Sequence, residues 1–229
     1  ENKEPLMRIV AFLIALLPIV TFASGGGGLM HADNDLHDAD SLKRGAKLFV
    51  DNCLNCHSAQ YMRYQRMGND LGFSEEELKE NFMFTTDKVG NTMTVAIDPN
   101  DAERWFGVLP PDLSLVARSR GTDWLYTYLL SFYEDPGRPF GVNNTVFPDV
   151  GMPHVLWNLE GGVAKKDEHG KLTHPPKHEE YKKQVTDLVN FLEYMGEPVK
   201  LQRQSLGIKV LIFLFILTIL AYILKKEYW

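Results

Sequence analysis

The sequence predicts a mainly α-helical domain with long loops, followed by one helix that crosses a membrane. Four stretches repeat apolar residues at helical spacing: 41–52, 74–83, 123–133 and 179–195. The connections between them are long and rich in Pro, Gly and Asn, above all 134–178, and loops of that length in a compact domain usually wrap around something. Residues 92–97 favour a short strand. An apolar run near the C-terminus predicts the membrane helix.

The ends of these stretches carry residues that begin or end helices. Asp40 or the following serine can cap the first helix, and Ser74 forms a capping box with Glu77 at the start of the second. The third stops before a proline, and the fourth ends at Gly196 with another proline two positions later. The helical prediction therefore rests on end signals as well as on periodicity.

The C-terminal segment 201–229 is predicted to anchor the chain in a membrane. Residues 210–224 carry no charge and are apolar apart from Thr218, and 206–208 extend the run past Lys209, whose long side chain can reach the interface. About 19 positions are then available, which is enough to cross a bilayer. Two lysines follow at once, so the positive-inside rule places the C-terminus in the cytoplasm and the domain 36–200 on the other side.

The first 24 residues have the features of a secretory signal peptide. A charged start precedes the apolar stretch 9–23, which ends in the small residue Ala23. A retained N-terminal anchor is the alternative interpretation of the same stretch, and it stays open. The glycine run 25–28 opens a predicted flexible linker over residues 25–35.

The charge balance narrows the class of partner. The chain has a net charge of −6, and residues 31–200 alone carry 18 Lys+Arg against 27 Asp+Glu. Nucleic acids need a basic face, so nucleic-acid binding is excluded. An acidic domain suits a basic protein partner. The acidic clusters 75–80 and 98–103 are candidates for its docking site, although the first is equally well explained as an acidic helix N-terminus.

The pattern Cys53-x-x-Cys56-His57 carries the chemistry, and three interpretations compete for it. A zinc site needs four ligands, and the histidines of residues 169–178 that might complete one lie in what we interpret as a solvated loop. A thioredoxin-like dithiol needs a preceding strand, whereas here a helix runs into Cys53. Cys-x-x-Cys-His is the attachment signature of c-type haem, with two thioethers and His57 as the proximal iron ligand. We predict covalent haem c.

Met152 is predicted to be the second axial ligand. It lies between Gly151 and Pro153, where glycine lets the backbone approach closely and proline stiffens the loop. His154 is the rival, and a loop hydrogen bond is the better interpretation for it. The remaining methionines lie too close to His57 or in apolar runs. His/Met ligation raises the reduction potential and leaves no open iron site, which suits an electron carrier.

Two further motifs are expected around the haem. The Pro110-Pro111 pair offers backbone carbonyls to which the proximal imidazole can donate. Arg118 and Arg120 follow shortly afterwards, and at least one is expected to pair with a haem propionate. The aromatic residues expected in the haem-pocket wall and core are Trp105, Phe106, Trp124, Tyr126 and Trp157.

Taken together, these motifs resemble the cytochrome c1 family. The resemblance covers about residues 33–229 and rests on "CLNCHSAQYMRY", "GVLPPDLSLVARSRG", "VGMPH", "LVNFLEYMGEP" and the terminal "KKEYW". It implies a class I-like cytochrome c fold in which the helix near Gly45 and Phe49 crosses the helix near Phe191 and Tyr194. It also implies one covalent haem c on the two cysteines, iron between the predicted His and Met ligands, and a propionate contact from Arg120.

The same resemblance implies a function and a set of partners. The chain would be the electron-carrying subunit of a quinol:cytochrome c oxidoreductase, the cytochrome bc1 complex, with no substrate chemistry of its own. A Rieske iron–sulfur protein would reduce the haem and a cytochrome c would accept the electron. Cytochrome b and the lipid bilayer would be further contacts, in a dimeric complex of the bacterial inner membrane with the haem domain in the periplasm. The alternatives are a membrane-anchored monohaem cytochrome c of another respiratory complex and a gas-binding haem sensor.

Overall fold

The computed structural model describes residues 28–228. The predicted signal peptide or anchor, residues 1–24, and the start of the glycine run lie outside the described residues. Within residues 28–228 the chain forms nine helices and three two-stranded antiparallel β pairs. The prediction of a mainly helical fold with one C-terminal apolar helix is confirmed.

The elements follow one another in this order. The helices are α1 (Ala39–Asn52), α2 (Tyr64–Leu71), α3 (Glu75–Asn81), α4 (Pro99–Phe106), α5 (Val116–Arg120), α6 (Thr122–Leu130), α7 (Trp157–Glu160), α8 (His178–Gly196) and α9 (Lys200–Tyr228). The strands are β1 (Ala59–Arg63), β2 (Thr92–Met93), β3 (Phe132–Glu134), β4 (Val142–Asn144), β5 (Lys165–Lys166) and β6 (Leu172–Thr173). β1 pairs with β2, β3 with β4 and β5 with β6.

The four predicted helices of the domain are present as α1, α3, α6 and α8. α6 ends at Leu130, earlier than predicted, because the next residues leave the helix and pair as β3 with β4. The predicted strand 92–97 is reduced to Thr92–Met93, paired with β1. The segment 134–178 contains β4, α7, β5 and β6 rather than loop alone. These elements have four residues or fewer, too few for a periodic pattern to reveal.

The core is built around the crossing of α1 and α8. Gly45 lies at the contact, where an added Cβ would sit 2.0 Å from the carbonyl oxygen of Asp187. The rings of Phe49 and Phe191, both fully buried, lie 5.6 Å apart at 47°. Outside the contact, the Arg44 guanidinium donates to both carboxylate oxygens of Asp187 at 2.7 and 2.9 Å. The expected crossing of these two helices is therefore present, and the close approach of their backbones requires glycine at position 45.

Part of the predicted flexible linker is fixed to the domain. The backbone N–H of Met30 donates to the hydroxyl of Thr127 at 2.8 Å, and that of Ala32 donates to Asp123 at 2.9 Å. Ala32 itself is buried. The chain between Met30 and α1 is thus held against α6, which the sequence does not indicate because both partners lie about ninety residues away.

The C-terminal helix α9 projects from the domain. Its 29 residues include an 18-residue window of mean hydropathy 2.6, with none of that window buried inside the protein. At ~1.5 Å per residue the helix is about 44 Å long, which exceeds the ~30 Å hydrocarbon thickness of a bilayer. In the described part of the chain, α9 is the single helix long and apolar enough to cross a membrane.

Candidate functional site

One cleft of about 770 Å³ gathers most of the residues that the sequence indicates for the haem. Its walls come from the end of α1, the segment after α4, helices α5 and α6, the segments before and after β4, and α8. The nominated residues in its lining are Cys53, Cys56, His57, Pro111, Arg120 and Met152. Residues nearly one hundred positions apart in the sequence therefore meet in one predominantly apolar cleft.

The end of α1 places the two cysteines and the histidine. The Cys53 N–H continues the helical bonding to the Phe49 carbonyl at 2.8 Å, and the His57 N–H donates to the Cys53 carbonyl, also at 2.8 Å. This turn brings Cys56 and His57 round to the cleft, while Cys53 stays buried. The spacing of the motif thus becomes a compact turn whose three reactive side chains share one cavity wall.

The Pro110-Pro111 segment lies along the residues that follow this turn. The Leu113 N–H donates to the Ser58 carbonyl at 2.8 Å, and the Gln60 N–H donates to Asp112 at 2.9 Å. These bonds bring the Pro111 carbonyl to 2.7 Å from the Nδ1 atom of His57. Since a carbonyl only accepts, Nδ1 must carry the proton, and Nε2 keeps its lone pair free to bind a metal.

The protonation of these groups argues against a redox dithiol. Burial, with a smaller contribution from Cys56, raises the pKa of Cys53 to about 12, and burial also raises the pKa of Cys56. Reactive dithiols have lowered thiol pKa values, so these two lack thiolate character. Burial lowers the pKa of His57, against the opposing effect of its bond to Pro111, which favours the neutral imidazole that a metal needs.

A zinc site on the cysteines is not supported either. In the described part of the chain, the one group of His, Cys, Asp and Glu side chains close enough to hold a metal is Glu160, His174 and His178. The histidines that might have completed a zinc site with Cys53 and Cys56 are therefore gathered elsewhere.

Met152 is the one methionine in the described residues that lines the cleft. Met62, Met67, Met83, Met93 and Met195 are all buried in the core. The hydroxyl of Tyr128, on α6, donates to the Met152 sulfur at 3.3 Å. Burial raises the pKa of Tyr128 well above its ordinary value, so the hydroxyl keeps its proton and remains a donor. Tyr128 thereby orients the thioether.

Two arginines bring positive charge to the cleft. Arg120 lies over the ring of Trp124, with its guanidinium carbon 5.0 Å from the ring centroid, whereas Arg118 does not line the cleft. The second is Arg138, which the sequence analysis does not nominate. It donates to Asp149, and its Nε atom is buried with no hydrogen-bond partner among the described residues. That orphaned donor fits an acidic group of a bound ligand.

The aromatic residues divide into two groups. Phe106 and Trp124 line the cleft and Tyr126 packs against the core, as expected. Trp105 and Trp157 are more than half exposed, so the expectation that they belong to the pocket wall or the core is wrong. Both lie on the outer faces of short helices whose orientation no sequence period fixes. Tyr128, like Arg138, is a cleft residue that the sequence analysis does not nominate.

His154 forms the loop hydrogen bond that the sequence analysis favours over iron ligation. It is buried, stacks on Phe132 with ring centroids 5.0 Å apart, and its Nε2 atom lies 3.0 Å from the carboxylate of Glu160. The imidazole therefore already has a partner, although it lies two residues after Met152.

These residues suit a haem attached through two thioethers. The cleft is apolar, its two thiols are protonated, its histidine has a free Nε2 lone pair, and it carries a thioether and two cations. Together with α9, the fold and the site define a membrane-anchored c-type cytochrome. The chain belongs to the cytochrome c1 family, whose model matches residues 31–229. Members of this family carry a covalently bound haem c and serve as the haem electron-transfer subunit of the bc1 complex, and so does this chain.

Relatives from three bacteria match the chain, and two of them are named cytochrome c1. Cytochrome c1 of Allochromatium vinosum is 48% identical, over 96% of this chain and 97% of that protein. Cytochrome c1 of Rhodospirillum rubrum is 29% identical, over 84% and 82%. A protein of Nitrosomonas europaea named ammonia monooxygenase gamma subunit is 46% identical, over 97% and 98%. The match runs along nearly the whole chain in the first and third cases.

Proposed function

We propose that this chain carries single electrons through one haem c attached to Cys53 and Cys56, with iron bound by His57 and Met152. The donor is a Rieske iron–sulfur protein and the acceptor is a cytochrome c. The observation that carries the proposal is the meeting of the Cys-x-x-Cys-His turn and Met152 in one apolar cleft. When bound, haem iron supplies a one-electron Fe(III)/Fe(II) couple.

Each side chain has a separate task in this proposal. The thiols of Cys53 and Cys56 would each hold the haem through one of its vinyl groups, the sulfur adding to one vinyl carbon and the thiol hydrogen to the other, so that no atoms are lost. His57, held by Pro111, offers Nε2 to the iron. Met152 offers its sulfur, and the Tyr128 hydroxyl withdraws electron density from that sulfur by donating to it. The thioether ligand and the hydrogen bond to its sulfur would both favour the reduced iron, as a carrier with a high reduction potential requires.

The remaining cleft residues bind and shield. Arg120 and Arg138 provide cations for the two propionates, since guanidinium groups match carboxylates in charge and geometry. Two apolar residues from α8, Leu188 and Leu192, also line the cleft. A low-dielectric pocket excludes water from the redox centre and lowers the reorganisation that accompanies each electron transfer.

The chain is membrane-anchored, and we propose that its haem domain lies in the bacterial periplasm. Lys225 and Lys226 close α9 in its last turn, and cationic residues of that kind favour the cytoplasmic side. The domain 36–200 then lies on the opposite, periplasmic side of the membrane, which is the side on which haem c is attached. Residues 201–229 form the anchor. For residues 1–24 we keep both interpretations, a signal peptide or a retained anchor.

The acidic surface nearest the cleft is the proposed docking site for the acceptor. In the cluster 75–80, Glu77 forms the capping box with Ser74, and Glu75 pairs with Lys79. These contacts fit the interpretation of this cluster as an acidic helix N-terminus. The cluster 98–103 begins at Asp98, the N-cap of α4, and continues into that helix, whose last residue, Phe106, lines the cleft. A basic cytochrome c steered to this second cluster would arrive beside the haem.

The test is to isolate the complex from its native membrane by a tag on this chain. Cytochrome b and a Rieske protein are expected to co-purify, in a dimeric assembly by mass measurement. Haem should remain with the protein in acid acetone, and Cys56→Ser should leave only one thioether. Recovery with a terminal oxidase instead would favour the alternative, a monohaem cytochrome c of another respiratory complex; loss of haem to the solvent would contradict covalent attachment.

A further inference from the structure

A buried carboxylate outside the haem cleft gathers three imidazoles. Glu160 ends α7, and its side chain is 2% exposed. Its Oε1 atom lies 2.7 Å from Nδ1 of His178 and 3.3 Å from Nδ1 of His174, and its Oε2 atom lies 3.0 Å from Nε2 of His154. None of these four residues lines the cleft, and the electron-transfer proposal uses none of them.

The positions of two of these histidines correct the sequence interpretation. His174 and His178 were expected in a solvated loop, but His178 is buried at the start of α8, and the two rings stack with centroids 3.6 Å apart. The expectation fails because the β5–β6 pair turns the Lys- and Pro-rich segment back towards α7. Both Nδ1 atoms therefore converge on one carboxylate oxygen.

We propose that Glu160, His174 and His178 form a binding site for one Zn²⁺ ion. Two imidazoles and one carboxylate are a ligand set that zinc accepts, with a fourth position left for water. The three ligand atoms lie within 4.8 Å of one another. With zinc–ligand bonds of about 2.0–2.2 Å, adjacent ligand atoms of a tetrahedral site are roughly 3.3–3.6 Å apart. The His174 contact already has this spacing, and the His178 contact needs to open by less than about 1 Å.

One group behind the site holds the carboxylate ligand in place. His154 occupies the second oxygen of Glu160, and carboxylate ligands of metals are commonly fixed by such a partner. The Nδ1 atoms of His174 and His178 face the first oxygen as hydrogen-bond partners. Zinc would take the place of the Nδ1 protons, so each imidazole would bind the ion as its Nε2–H tautomer.

The site is accessible and has a structural use. The His174 side chain is 29% exposed, which leaves a path for the ion and room for a water. A bound ion would join the end of α7, the residue after β6 and the start of α8. The connecting segment 161–177 is rich in Gly, Lys and Pro and contributes only Ala164 to the buried apolar residues, so a metal cross-link would replace missing apolar burial.

The experiment is a titration of the full haem-loaded protein, in detergent, with Zn²⁺ after treatment with a chelator. Calorimetry should find one strongly bound ion per chain. His174→Ala should weaken its affinity by more than about 100-fold, because loss of a supporting partner alone costs about 10- to 100-fold. His169→Ala is the matched control, since His169 is an exposed histidine that contacts Glu168 rather than Glu160. It should leave the affinity unchanged.

Two measurements keep the outcome unambiguous. The haem absorption spectrum must be the same in every variant, which shows that the cleft is intact. A second variant, Glu160→Gln, removes the negative charge of the site while retaining the size of the side chain. X-ray absorption at the zinc edge should show only nitrogen and oxygen ligands, with two imidazoles. Absence of a stoichiometric ion, an affinity unaffected by His174→Ala, or sulfur in the zinc coordination would overturn the proposal.

Discussion

The Nδ1 atom of His57 lies 2.7 Å from the carbonyl oxygen of Pro111, fifty-four residues later in the chain. Among the described residues no backbone N–H donates to the carbonyl of Pro110 or Pro111, so the imidazole meets no competing donor there. The contact fixes the imidazole tautomer and leaves the Nε2 lone pair free to bind a metal. The orientation of this imidazole is therefore set by the protein's own hydrogen bond.

Met152→Ala should lower the reduction potential on the order of 0.1 V or more, because axial ligands set haem potentials over a range of about 0.8 V. The vacated position should also bind CO rapidly in the reduced protein. Redox titration and CO difference spectra measure both effects. Met83→Leu, a swap of similar volume in the core, is the control and should change neither. An unaltered spectrum in Met152→Ala would show that another residue binds the iron.

Tyr128→Phe should lower the potential by roughly 20–60 mV, since a hydrogen bond contributes about 0.5–1.5 kcal/mol and 59 mV corresponds to about 1.4 kcal/mol for one electron. Phenylalanine keeps the ring that stacks on Trp124 at 5.0 Å but loses the donor to Met152. Tyr126→Phe, on the same helix but outside the cleft lining, should leave the potential unchanged. Equal shifts in the two variants would assign the effect to the helix rather than to the sulfur.

Arg120→Gln should lower the potential by up to about 40 mV, because an exposed cation contributes at most about 1 kcal/mol to the reduced state. The comparison variant is Arg118→Gln. It also removes one positive charge, but from a residue two positions earlier whose side chain does not line the cleft. Raising the salt concentration should shrink both shifts. If Arg118→Gln has the larger effect, the propionate contact belongs to that arginine.

Gly45→Ala should destabilise the protein by at least about 3 kcal/mol, because overpacking costs ~1–3 kcal/mol even where flexible side chains can move. Here the new Cβ would meet the backbone oxygen of Asp187 at 2.0 Å, so α1 and α8 must separate. Guanidinium unfolding monitored by the haem absorption gives the free energy. Gly90→Ala, where an added Cβ meets nothing within 4 Å, should be close to neutral; similar losses in both would remove the crossing as the cause.

Glu103→Lys should slow electron transfer to a basic cytochrome c at low salt, because it reverses a charge in the cluster proposed to steer the acceptor. Glu76→Lys makes the same change in the other cluster and should have a smaller effect. Stopped-flow rates at several salt concentrations separate steering from chemistry, since only steering falls with ionic strength. The reverse ranking would move the docking site to residues 75–80.

The sequence by itself determined the cofactor, the membrane anchor and the main helices of the fold. Cys53, Cys56 and His57 act within one turn, so their chemistry depends on spacing alone, and an apolar run of this length needs no tertiary partner to be recognised. The longer helices carry enough turns for their apolar period to be read. The short elements between residues 134 and 178 carry too few residues for any period, and their placement depends on the surfaces that they meet.

Only the tertiary structure decided which distant side chains touch. Tyr128 reaches Met152, and Arg138 turns its unpartnered Nε atom into the protein, through packing between segments with no shared pattern. Glu160 brings His174 and His178 out of an apparently solvated segment because burial of a carboxylate demands hydrogen-bond partners. A local sequence pattern predicts the structure of one segment. The hydrogen-bond partners of a buried polar atom are decided by tertiary packing, because they come from segments that are distant in the sequence.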